Sequence, residues 1–179
     1  MRGFSRRSGV EPCPARKPRS RQSRPGAENQ RIFRSRSCIA QIAALVAMRF
    51  KHLGVAADDI TKAVEFYTDL FGYQILAGPV EDPLQKVWVC FVGTGKAGDL
   101  TIEIVAPSED RSPVNQVLRK GIGAYHVCYE VDNIEKALEQ ARAKGCIVLT
   151  HPLPAVAFEG RRIAWFYTPT RQLVELLEE

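Results

Sequence analysis

The 179-residue chain is 45% apolar with a formal net charge of +5 and no apolar run of transmembrane length, which describes a globular chain of one domain or two small fused modules. The charge is unevenly spread: residues 1–47 hold ten Arg and one Lys against two Glu, net +9, and the remainder is net −4, so nucleic-acid binding loses its main support. Five cysteines (Cys13, Cys38, Cys90, Cys128 and Cys146) form no CxxC pair, which excludes a zinc ribbon and a disulfide framework and indicates a reducing compartment.

Residues 1–47 are rich in Arg, Ser, Pro and Gly and bury too little apolar surface to offset ordering entropy, so a disordered leader is expected there. An Arg- and Ser-rich, acid-poor leader also fits an organellar transit peptide. A start at Met48 is the third reading, because a strand begins almost at once after it.

From Met48 the pattern is strand, helix, strands. Asp58 or Asp59 caps a helix whose apolar positions Ile60, Ala63, Val64, Tyr67, Leu70 and Phe71 keep one face, with Gly72 as its stop. Strands are expected over 73–77, 86–92 and 99–106, separated by a loop bearing Pro79 and Pro83 and by a Gly-rich turn from Gly93 to Gly98. That turn lies between strands and lacks the strand-to-helix setting of a phosphate loop, so it reads as a hairpin. Ser112 and Pro113 form an N-cap followed by proline at N1, opening a linker helix that Gly121 ends. The second half repeats the scheme: a strand over 124–131, a helix over 133–144 with Asp132 and Glu135 as a capping pair and Gly145 as stop, then strands near 146–150, 161–167 and 172–178. Two βαβββ modules result, 48–107 and 122–179, joined by the 108–121 linker. The expected fold is α+β: the modules pair into one curved mixed sheet with helices on the outside.

The internal repeat carries the chemistry. Ile60 and Ala63 stand eight and eleven residues after His52, as Ile134 and Ala137 stand after His126. Glu103 lies 51 residues past the first histidine and Glu175 lies 49 past the second. Alternation in the 124–131 strand puts Ala124, His126, Cys128 and Glu130 on one face and Tyr125, Val127, Tyr129 and Val131 on the other, against helix. Two imidazoles and two carboxylates, one of each per module, hold a divalent transition metal and leave positions for substrate oxygens. Glu103 and Glu175 sit in apolar runs where an unpaired carboxylate is costly. His151, beside Pro152 and Pro154, is outside the repeat and reads as a surface residue. Cys90 and Cys128 read as buried small hydrophobes, and Trp88, Trp165, Phe166 and Tyr167 as packing.

The order His52, Glu103, His126, Glu175 on paired βαβββ modules resembles the vicinal oxygen chelate superfamily (glyoxalase, bleomycin resistance, dioxygenase) over residues 48–179. Within it, Asp110 to Val114, Lys120 to His126 and Glu130 to Ile134 are similar to methylmalonyl-CoA epimerases and to proteins labelled lactoylglutathione lyase. The resemblance implies that all four residues ligate one divalent ion (Co, Ni, Mn, Zn or Fe) and that the reaction is an α-proton shift on an acyl thioester, with Glu175 as the base. The alternatives are a glyoxalase I and a noncatalytic binding protein of the bleomycin-resistance kind. The epimerases' further Glu base has no counterpart in Gln85 to Cys90, which leaves Glu81 and Glu159 as loop substitutes. A cytoplasmic homodimer without nucleic-acid or membrane partners is expected, or an organellar one if the leader is a transit peptide.

Overall fold

The computed structural model describes residues 45–179, and most of the predicted leader lies outside the described residues. The first module runs β1 (Arg49–Ala56), α1 (Ile60–Phe71), β2 (Gln74–Asp82), β3 (Val87–Gly93) and β4 (Ile102–Pro107). A short α2 (Val114–Arg119) leads to β5 (Ala124–Val131), α3 (Ile134–Ala143), β6 (Ile147–Val148), β7 (Leu153–Pro154), a 3-10 turn (Val156–Phe158), β8 (Arg162–Tyr167) and β9 (Leu173–Glu178). The nine strands form one curved mixed sheet in the order β2-β3-β4-β1-β5-β9-β8-β6, with β7 also paired to β8. Each module contributes one parallel pair, β1 with β4 and β5 with β9, and the antiparallel β1–β5 pair joins them. The expected α+β architecture is the one observed.

Strand alternation sorts the two sheet faces. On one, Ile102 and Ile104 of β4 pack with Cys90, Val92 and Val64 of α1, and Val174 and Leu176 of β9 pack with Ile134, Ala137, Leu138 and Ala141 of α3. Their neighbours Val105 and Leu177 point the other way, into a third cluster with Val89, Phe91, Cys128, Phe158 and Ile163. Burying each such side chain is worth about 1.5–3 kcal/mol, so the helix-covered face anchors the sheet. The concave face is left for Glu103 and Glu175, one residue out of phase with those anchors.

Several local expectations change. Pro79 lies within β2 at a register irregularity and follows a cis Gly78–Pro79 peptide; the turn comes later, at 83–86. Asp59 caps α1 by accepting from the Thr61 and Lys62 N–H groups, with Gly72 at φ 66° beyond its end. For α3 the cap is Asn133, which accepts from Lys136 N–H at 2.8 Å, rather than Asp132, which pairs with Arg49 on the surface. Ser112 does not cap α2; its hydroxyl is buried and Pro113 occupies the N-cap position. The strand expected over 146–150 shrinks to two residues, because the chain leaves β8 through a loop holding exposed His151 and returns as β7. Val46, just before the expected start, donates its N–H to Gln140 Oε1 at 2.8 Å.

Candidate metal centre

Each predicted ligand comes from a different strand: His52 from β1, Glu103 from β4, His126 from β5 and Glu175 from β9. These are the four central strands of the sheet, so one His and one Glu from each module converge across the β1–β5 junction. One donor atom from each lies within 4.8 Å of the others, and all four residues are buried, between 0% and 4% exposed. The two Nε2 atoms are 3.2 Å apart. Glu103 Oε2 is 3.2 Å from His52 Nε2 and 3.0 Å from His126 Nε2, and Glu175 Oε2 is 3.2 Å and 3.7 Å from the same two atoms.

The group is poorly satisfied as a purely polar cluster. Glu175 Oε2 meets His52 and His126 at ion-pair distance without hydrogen-bonding geometry, and among the described residues nothing donates a hydrogen bond to it. Two carboxylates at full burial are costly unless positive charge is placed among them. The electrostatics at His52 carry that demand: burial opposes the imidazolium, yet the Glu103 and then the Glu175 carboxylate outweigh it and push His52 above the ordinary imidazole range. Burial pushes the Glu103 carboxyl up, and the His52 and His126 rings more than reverse this, holding it below the ordinary carboxylate range. A proton serves one pair of donors, whereas a divalent cation at the centre serves all four. The residues present therefore fit such an ion, with two imidazole nitrogens and two carboxylate oxygens suited to a borderline transition metal.

Aromatic packing orients the histidines. The His52 ring stacks on Phe158 at 5.9 Å and 13° and meets Phe91 edge-on at 5.5 Å. His126 is flanked edge-on by Trp165 at 4.9 Å, whose backbone N–H donates to Thr150 Oγ1, and by Tyr125 at 4.5 Å. Gly54 pairs with His126 across the strands, and an added Cβ there would overlap the imidazole ring. A glycine inside a strand signals such a close approach, so this contact was open to detection from sequence.

Tyr125 departs from the expected alternation. The β1–β5 register passes from Gly54–His126 to Val55–Ala124, so Tyr125 is the extra residue of a β-bulge. It consequently joins the concave-face cluster while Val127, Tyr129 and Val131 pack toward α3 as expected. Burial, then the Glu103 and Glu175 charges, keep its phenol protonated well above the ordinary range. Cys128 is a buried, packed thiol, raised by burial and by Glu175.

Glu103, His126 and Glu175 open onto a cavity of about 1460 Å³ whose wall includes Val114 and Val117 of α2 and whose exposed rim carries Lys120 and Arg171. Glu81 and Glu159 are exposed and do not line it, and neither does His151. Trp165, expected as packing, is part of the cavity wall.

Residues 51–165 match the family model described as the Glyoxalase/Bleomycin resistance protein/Dioxygenase superfamily. The chain is similar to a mitochondrial methylmalonyl-CoA epimerase of Dictyostelium discoideum, 27% identical over 135 residues, which cover 73% of this chain and 78% of that one. It is also similar to a mitochondrial methylmalonyl-CoA epimerase of Mus musculus, 37% identical over 98 residues, 54% of this chain and 53% of the other, so it spans about half the length of the mouse relative. Among solved structures it is similar to a Streptomyces coelicolor methylmalonyl-CoA epimerase variant in complex with 2-nitronate-propionyl-CoA. The TM-score there is 0.61 at 25% identity, covering 73% of this chain and 94% of that chain.

Proposed function

The chain belongs to the glyoxalase/bleomycin resistance protein/dioxygenase superfamily, and on that premise we propose that it is a metal-dependent epimerase acting at the carbon α to a thioester carbonyl, most simply that of a methylmalonyl-CoA-like substrate. His52, Glu103, His126 and Glu175 would hold the ion, and residues 48–179 form the working unit. The observation that carries this reading is the convergence of four buried donors, two per module, three of which line a cavity large enough for an acyl thioester. The epimerase relatives support the choice of reaction.

A divalent ion bound there supplies Lewis-acid stabilisation for negative charge developing on a substrate oxygen. The chain's own residues do the rest. Glu175, whose Oε2 lies 3.2 Å from His52 Nε2 and whose side chain lines the cavity, accepts the α-proton from one face of the carbon, and inversion is completed by a proton returned to the opposite face. Glu103 is the other carboxylate that the cavity exposes among the described residues, and its charge is held by both imidazoles. Phe91, Phe158 and Trp165 pack around the imidazoles and limit the water that competes for them. Keeping the substrate dry strengthens each of these electrostatic contacts.

Incubating the metal-loaded protein with methylmalonyl-CoA in deuterated water tests the reading. Deuterium should wash into the α-position at least about a hundredfold faster than with chelator-treated protein, the usual scale of a positioned general base. Absence of exchange, together with ultraviolet thioester absorbance appearing from methylglyoxal and glutathione, would replace the epimerase by a glyoxalase. Neither signal would point to the noncatalytic alternative.

A further inference from the structure

Metal-ligating histidines almost always donate their second ring N–H to a carboxylate, a carbonyl or a water, which fixes the ring. His52 Nδ1 is buried and has no hydrogen-bond partner among the described residues. The flat face of its ring stacks on Phe158, which limits how the ring can turn. Phe158 belongs to the 3-10 turn of the second module, whereas His52 belongs to the first, so something must hold that turn in place across the module boundary.

Asp82 provides the tie. It is fully buried at the end of β2, and no cation among the described residues pairs with it. Its Oδ1 accepts from the N–H groups of Leu84 and Gln85, both at 3.0 Å, closing the turn before β3. Its Oδ2 accepts from Gln85 Nε2 at 3.2 Å and, across the modules, from Val156 N–H at 3.1 Å. Val156 is the first residue of the turn that ends in Phe158. A buried carboxylate satisfied by four neutral donors is an expensive way to close a hairpin turn, which exposed Asp or Asn residues do routinely.

We propose that Asp82 is a positioning residue for the metal centre: through Val156 and Phe158 it holds the His52 imidazole in its ligating orientation. The inference rests on the four-ligand reading for its consequence on metal binding, but the ring contact itself is independent of the ion. Asp82→Asn replaces one acceptor oxygen by an NH2 that cannot serve both Val156 N–H and Gln85 Nε2. Val156→Pro removes the donor alone. Ala155 before it is extended (φ −119°, ψ 129°) and Val156 opens the turn, so proline fits the backbone there.

The test uses the full chain in two arms. In metal-free protein, proton NMR follows the His52 ring signals, which the Phe158 ring current displaces. In parallel, cobalt(II) titration gives the dissociation constant for wild type, Asp82→Asn, Val156→Pro, Phe158→Ala and the Asp82→Asn/Phe158→Ala double variant. The expected result is loss of the ring-current displacement in Asp82→Asn and Val156→Pro, and cobalt affinity weakened about tenfold or more, as for other outer-shell partners. The double variant should be no weaker than Phe158→Ala alone, because both changes act on one contact. If Asp82→Asn lowers the thermal midpoint yet leaves ring signals and cobalt affinity at wild-type values, Asp82 is a turn residue and the inference is overturned. Additive losses in the double variant overturn it as well. A wild type that takes up no cobalt overturns the four-ligand reading, and the ring-signal arm alone then decides the fate of Asp82.

Discussion

His52, Glu103, His126 and Glu175 are four side chains whose burial makes sense only as a set. Removing one donor should therefore cost more than a quarter of the binding, because the remaining three keep the desolvation penalty and lose a partner. His126→Ala and Glu175→Gln, purified without chelator, should each carry less than about a tenth of the metal found in wild type by elemental analysis, the scale on which outer-shell losses already register. Equal metal content in all three proteins would rule out these residues as ligands. Gly54→Ala probes the same geometry without touching a ligand. Its Cβ would meet the His126 ring, so it should destabilise the fold by about 1–3 kcal/mol as an overpacked site does and weaken metal retention too. The grouping of these four side chains was legible in the sequence because they repeat at matching offsets in two modules. Phe158 and Asp82 were not, because their roles arise only where a loop of one module docks on the other, and no periodicity reports such contacts. Tyr125 was placed on the wrong face for a related reason: alternation assumes an unbroken ladder, and a bulge adds one residue to it.

At the scale of elements, hydrophobic period was a sound guide to existence and type, and capping chemistry a weaker guide to boundaries. Both long helices stand where they were expected, and each covers the sheet with one apolar face. Strand lengths were less legible. β2 continues through Gly78 and Pro79 because it is an edge strand, where a residue without N–H breaks no ladder. The second module's counterpart is broken into β6 and β7 by the loop 149–152. At the start of α3 two adjacent residues compete for the cap, and the structure selects Asn133 because its side chain reaches Lys136 N–H. Asn133→Ala should lower unfolding free energy by about 1 kcal/mol, the usual worth of an N-cap, read from denaturant midpoints at unchanged m-value. Asp132→Ala should stay close to wild type, since its contact with Arg49 is an exposed ion pair at 3.4 Å. The reverse order would restore the cap expected from sequence.

At the scale of the molecule, the candidate site lies on the seam. β1 and β5 are the only direct strand pairing between modules among the described residues, and the four donors sit two on each side of it. An ion bound there would tie the modules together, and because the unfolded chain does not assemble four donors, binding would add to folding stability by mass action. At a free metal concentration 100-fold above the dissociation constant the gain is about 2.7 kcal/mol. For a chain of this size each kcal/mol moves the midpoint by roughly 2–4 °C, so chelation should lower the thermal midpoint by roughly 5–11 °C. The decisive comparison is with Glu175→Gln, which removes one donor from the second module and should respond little to either metal or chelator. Wild type and variant shifting alike would mean that the stabilising ion binds elsewhere, and an unchanged wild-type midpoint would mean that the seam holds without one. Readdition of a single metal at graded concentrations should restore the midpoint along the logarithmic dependence that one site requires, and a linear or biphasic recovery would contradict a single shared centre.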